Sequence, residues 1–304
     1  MICLLHFGRT DYATALDLQK SLVELRKQGR IVDTLLLLEH NPVITLGRNT
    51  NKQNLIASPA LLAQNGVELY ETDRGGDVTF HGPGQLVGYP IFDLRGFSPR
   101  MGAVEYVRNM EEVLIRSCGD LGIPCERIAG LTGVWTEAPQ GLDADGQYEN
   151  PQRFSQRKIA AIGVHISRGV TSHGFALNVT TDLDYFKLIV PCGISDRAVT
   201  SIEQEIETRH LPTPSMEEVM NLVSTNFGRV FHRQILWLES LDQLLHTSNQ
   251  SKSDEENQKS PEADTIDIPL KVPRELREIH RNPGGAQGNL QQGGLAESDE
   301  IFLA

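Results

Sequence analysis

Cys192 stands between a proline and a glycine in Val190-Pro191-Cys192-Gly193-Ile194-Ser195, after an apolar run of Phe186, Leu188, Ile189 and Val190. A cysteine on such a turn is held out from a sheet, as a nucleophile must be, whereas most free cysteines are simply buried. The thiolate is the attacking species, so a cation has to lie near it. Lys158, His81, His165, His173 and Arg197 are the candidates, and spacing alone does not choose between them. By its position Lys158 reads first as an ordinary solvated strand end.

Residues 74 to 94, RGGDVTFHGPGQLVGYPIFDL, hold five glycines and two prolines around Arg74, His81 and Gln85. Glycine inside a strand pattern marks a bulge, a bend or close approach of backbone to a ligand. Bare backbone beside polar side chains suits a narrow slot for an elongated substrate; the plainer alternative is a Gly-rich hairpin with an exposed histidine. No Gly-Lys-Ser/Thr follows and no GxGxxG opens a helix, so neither common phosphate-binding loop is present. A third segment, RKIAAIGVHI from Arg157, reads as a buried strand with small residues where another backbone or a ligand approaches. In a fourth, SHGFALNV from Ser172, a glycine sits beside an aromatic in mid-strand.

In that order, RGGDVTFHGPGQLVGYPIFDL, RKIAAIGVHI, SHGFALNV and VPCGI resemble one family, the lipoyl(octanoyl) transferases, over roughly residues 1 to 235. The resemblance implies an α+β catalytic domain like that of biotin and lipoate protein ligases, with mixed, largely antiparallel sheets and flanking helices. It implies a nucleophile at Cys192 and, at Lys158, a lysine that keeps it ionised. It places acyl binding at Arg74, Gly75, Gly76, Asp77, Val78, Thr79, Phe80 and His81, at Ala161, Ile162 and Gly163, and at Gly174, Phe175 and Ala176. The implied donor is octanoyl-acyl carrier protein. The implied acceptors are lysines on lipoyl domains of 2-oxoacid dehydrogenase subunits and on the glycine-cleavage carrier protein. Moving an acyl group from thioester to amine is easier in two steps through an enzyme thioester. The donor is already activated, so no ATP, cofactor or metal is expected. Competing expectations are an ATP-dependent ligase on the same fold, a relay between lipoyl domains, a non-catalytic lipoyl-domain scaffold and a Cys-His hydrolase.

The elements that must position these residues follow from periodicity. Helices are predicted over 11–28 with Asp11 as cap, over 103–121 with Val104, Val107, Val113, Leu114 and Cys118 inward, and over 216–231 behind Ser215. Strands are predicted near 34–39, 43–46, 67–71, 77–81, 85–93, 133–136, 158–167 and 173–179. Runs of strands broken by a few helices indicate α+β rather than βαβ alternation.

The net charge of −12 argues against nucleic-acid binding. It also demands a local basic patch for acidic carrier partners, with Arg26, Lys27, Arg30 and the Arg153, Arg157, Lys158 cluster as candidates. No run reaches the ~20 apolar residues of a membrane helix. The first residues lack a signal-peptide pattern, and four cysteines without ligand spacing read as reduced thiols; a cytoplasmic protein is expected. The catalytic domain is expected over 1–246, with a polar loop insertion at 137–157. There Asp143-Ala144-Asp145-Gly146 lacks the rest of a calcium loop. Residues 247–304 begin as a charged linker that cannot bury a core and are expected to form a largely disordered, dispensable extension.

Overall fold

Residues Leu35 to Leu38 are four leucines in a row, and a strand apolar on both sides needs cover on both faces. A computed structural model of the chain, describing residues 1–137, 156–194, 197–247 and 300–303, shows that arrangement. The strands are β1 (Ile2–Thr10), β2 (Thr34–His40), β3 (Val43–Leu46), β4 (Glu68–Glu71), β5 (Val78–His81), β6 (Gln85–Ile91) and β7 (Cys125–Ile128). They continue with β8 (Leu131–Glu137), β9 (Gln156–Ser167), β10 (Val170–Asn178), β11 (Ala198–Val199), β12 (Ile235–Leu238) and β13 (Glu300–Leu303). The helices are α1 (Tyr12–Lys27), α2 (Pro59–Gln64), α3 (Ala103–Asp120), α4 (Ile202–Thr208) and α5 (Met216–Phe231).

The main sheet runs β12-β1-β2-β6-β10-β9-β8-β7, with β11 and β13 also paired to β9. It is mixed and mostly antiparallel, so the fold is α+β as the pattern of elements implied. Leu35 and Leu37 pack with α3 and α5 on one face, while Leu36 and Leu38 pack with α1 on the other. A small sheet, β4-β3-β5, has its own apolar cluster with Ala57, Leu62, Phe186 and Ile189.

Helix boundaries follow their caps. Asp11 accepts from Thr14 N–H at the start of α1, and a Ser215/Glu218 capping box opens α5. Val104 does not face inward. It is 65% exposed in the first turn of α3, whose buried stripe runs through Tyr106, Val107, Met110, Val113, Leu114 and Cys118. Of the residues proposed for a basic patch, Arg26 is bound to Asp33 at 2.9 Å, Arg157 to buried Glu205 at 2.8 Å, and Lys158 is buried. Arg153, the calcium-like Asp143–Gly146 stretch, most of the 137–157 insertion and the apolar residues between Ile268 and Ile279 lie outside the described residues.

Periodicity assigned no strand to β1, β7, β11, β12 or β13 and no helix to α2 or α4; several are too short to show a period. The last of these strands matters most. Residues 300–303 pair antiparallel with 164–167, on the stretch of β9 beyond its pairing with β8. The extension after 246 therefore contributes chain to the main sheet. Among the described residues no helix is long and apolar enough to cross a membrane.

Candidate active site

Cys192 lies in a 3-10 turn, Pro191–Gly193, with φ 55° and ψ 21°, a left-handed conformation that costs energy for a residue with a Cβ. The turn is braced from several sides. Gly193 N–H donates to Val190 O at 3.0 Å, Ile194 N–H to Pro191 O at 3.0 Å, and Val190 N–H to Asn54 O at 2.7 Å. Asn54 in turn bonds the Asp77 carboxylate. Of the five candidate cations, Lys158 is the one placed at the sulfur, its Nζ donating to Cys192 Sγ at 3.1 Å.

Lys158 is 7% exposed near the start of β9, so it is not the solvated strand end its position suggested. Its Nζ sits 5.1 Å from the centroid of the fully buried Trp135 ring, a cation–π contact from the neighbouring strand. Room for the side chain comes from Gly133, at φ 125°, where a Cβ would lie 2.8 Å from Lys158 Cε. Gly133 is itself fixed by helix α3, its N–H donating to Glu111 Oε1 at 3.1 Å. Glu111 is fully buried and also holds Arg108 and Arg127. Sequence reasoning missed Trp135, Gly133 and Glu111; the signal available was a glycine two residues before a tryptophan in a predicted strand.

Cys192 and Lys158 both line a cavity of 320 Å³, within the range of small-molecule sites. Arg74, Gly76, Asp77, Thr79 and His81 line it, as do Ala161, Ile162, Gly163, Gly174, Phe175 and Ala176. Gly75, Val78 and Phe80 do not. Along β5 the side chains alternate, so Thr79 and His81 face the cavity while Val78 and Phe80 enter the small-sheet core. His173, Tyr12, Asn49, Val87, Tyr89, residues 130–132 and Ile194 complete the lining; of these, Tyr12, Asn49 and 130–132 carried no sequence signal.

The cavity walls are electrostatically settled. Burial, then His40 and Arg74, push His81 down to about 3, so it is neutral at physiological pH. Its Nδ1 is 2.8 Å from Gln85 Oε1, which can only accept, so that nitrogen carries the proton. Gln85 Nε2 then donates to Asn178 Oδ1 at 2.9 Å, and Asn178 Nδ2 to Thr200 O at 2.9 Å. Arg74 is buried, and burial lowers its pKa; its guanidinium ties to Thr45 O at 2.7 Å and to Gly75 O at 3.0 Å. Burial works to raise Asp73, but hydrogen bonds from His165 and His173, each 2.7 Å, outweigh it and hold the carboxyl well below the usual range. Among the described residues no group of three or more His, Cys, Asp or Glu is placed to hold a metal.

A cysteine in contact with a lysine, in a cavity lined partly by glycines and apolar side chains, suits acyl transfer. Comparison with known proteins agrees. The model of the lipoyl protein ligase A/B catalytic domain matches residues 11–228. The octanoyltransferase of Koribacter versatilis is 58% identical over 282 residues, 93% of this chain and 98% of that protein. In a chain of 304, a match that long necessarily runs past residue 247. The octanoyltransferase of Acidobacterium capsulatum is 59% identical over 247 residues, 80% of this chain and 95% of that one. A bipartite lipoate protein ligase from Thermoplasma acidophilum superposes with a TM-score of 0.57 over 84% of this chain and 93% of that one, at 18% identity, a likeness of fold alone. Site, fold and sequence thus converge: the chain belongs to the lipoyl protein ligase A/B catalytic domain family, among its octanoyltransferases, and is an acyltransferase.

Proposed function

We propose that this enzyme moves an octanoyl group from octanoyl-acyl carrier protein to a lysine of lipoyl domains through a thioester on Cys192, with the reacting side chains carried by the domain at 1–246. The observation that carries the reading is the 3.1 Å contact between Lys158 Nζ and Cys192 Sγ inside the cavity. In the first step the thiolate attacks the donor carbonyl. A new C–S bond forms, the donor C–S bond breaks, and the departing thiolate takes a proton from Lys158. In the second step the acceptor amine attacks the enzyme thioester, a C–N bond forms, and the sulfur leaves. The proton shed by the amine returns to Lys158. The Gly193 and Ile194 N–H groups are occupied within their own turn. The N–H groups of Gly76 and Asp77, which make no hydrogen bond among the described residues, are the proposed donors to the tetrahedral oxyanion.

Intact mass spectrometry after mixing with octanoyl-acyl carrier protein, without ATP, tests the reading. One octanoyl mass should appear on the peptide holding Cys192, be removed by neutral hydroxylamine, and be absent from Cys192→Ser. Label on Cys3, Cys118 or Cys125, or a requirement for ATP, would overturn it. Lipoyl domain added next should take the group onto a lysine.

A further inference from the structure

The Arg74–Asp77 segment reaches the cavity as irregular backbone, and three neighbours hold it. From the small-sheet side, Arg48 N–H donates to Arg74 O and Asn49 N–H to Gly76 O, both at 3.0 Å. From the main sheet, Val164 O accepts from Gly75 N–H at 3.0 Å, and the chain lies so close to β9 that a Cβ on Gly163 would come within 2.7 Å of Gly75 O. The third neighbour is β13. A Cβ on Gly75 would overlap the Leu303 carbonyl and lie 2.6 Å from Leu303 N, and the three atoms it would meet first all belong to Leu303.

The ladders explain this placement. β8 pairs with β9 up to Ala160, and β13 pairs with it over 164–167. Gly75 meets the same edge at Val164, where the β13 ladder ends on the side of β8. Leu303 is partly buried against the α3–α5 core, which anchors the strand, while Ile301 is 48% exposed.

We propose that Glu300–Leu303 is a positioning element of the acyl site: by pairing with the distal half of β9 it clamps the Gly75 backbone and so fixes Gly76 and Asp77 where they wall the cavity. The proposal rests on the octanoyl-transfer reading for its kinetic consequence but not for its structural one. A four-residue strand at the far end of a polar linker thereby becomes part of the substrate site. Its action is on acyl placement and not on the thiol, because it pairs with 164–167 while Lys158, the partner of the sulfur, lies near the other end of β9.

The test compares the full chain with one ending at residue 299, each with Gly75 or Gly75→Ala. Removing β13 should slow octanoyl loading at least about tenfold, since small misplacements of a substrate wall are costly. It should leave iodoacetamide labelling of Cys192 within about twofold of the full chain, because the Lys158–Cys192 contact stays intact. Gly75→Ala should slow loading in the full chain as much as truncation does and add nothing in the truncated one. Amide exchange at 73–77, read without substrate, should speed up on truncation. Loading by the truncated protein at the full-chain rate would overturn the proposal, as would an equal Gly75→Ala loss in both backgrounds. If even the full chain takes up no octanoate, the transfer reading fails while the exchange data still judge the clamp. If the truncated chain does not fold, exchange in full-length Gly75→Ala decides: faster exchange at 164–167 and 301–303 supports the clamp, and unchanged protection there refutes it.

Discussion

At the scale of the residue, the lysine at the sulfur is asked to do two things, supply positive charge and exchange a proton. Arginine keeps the first and not the second, because a guanidinium does not deprotonate in this range. Lys158→Arg should therefore slow octanoyl transfer by about a hundredfold or more, the usual worth of a positioned acid–base group. Lys158→Ala should do so too and should also slow alkylation of Cys192. Turnover and iodoacetamide rates across pH measure these separately. Unchanged turnover in either variant would remove Lys158 from the chemistry. The setting of this residue explains why substitution has no easy compensation: Trp135 lies under its Nζ and Gly133 makes room for its stem.

At the scale of the element, helix α3 reaches the site through one carboxylate. Glu111 is fully buried and accepts from Gly133 N–H in β8 while pairing Arg108 and Arg127. Removing one partner of a buried ion pair costs about 3–5 kcal/mol. Here the arginines are 47% and 33% exposed and regain water, so about 2 kcal/mol is expected for Glu111→Ala. That corresponds to a fall in Tm of roughly 4–8 °C. Glu111→Gln keeps an acceptor for Gly133 and should lose less octanoyl loading than Glu111→Ala. Thermal melting with loading assays decides, and equal loading by both variants would show that the Gly133 bond does not position the site.

At the scale of the whole molecule, buried histidines, His40 and His81 foremost, are expected to lower stability in acid. Burial leads in lowering both, His40 to about 4 and His81 to about 3, each below the ordinary 6.5. Between about pH 6.5 and 4 the unfolded chain then binds protons that the folded chain excludes. Stability is complete above pH 6.5 and falls as pH drops, by roughly 2 kcal/mol per group at pH 5. Burial shifts His173 in the same direction. Urea unfolding at pH 7.5 and 5.0 checks this, and His81→Gln should remove about half the difference; an equal acid loss in that variant would show that His81 is not responsible. How much of this was legible in sequence depends on range. The α1 and α5 boundaries were, because Asp11 and Ser215 act on N–H groups three residues away. The alternation Val78, Thr79, Phe80, His81 was present too, though which face met the cavity was not. The resemblance named Cys192 and Lys158, but 34 residues separate them, and only the packing of the Pro191–Gly193 turn against β9 brings them to 3.1 Å. Tyr12 as a cavity wall and the strand at 300–303 left no trace in any local pattern. A sequence by itself determines the residue types, the periods and the caps, because those act through neighbours along the chain; which distant groups share a wall is decided by strand register and sheet order, which exist only once the chain has folded.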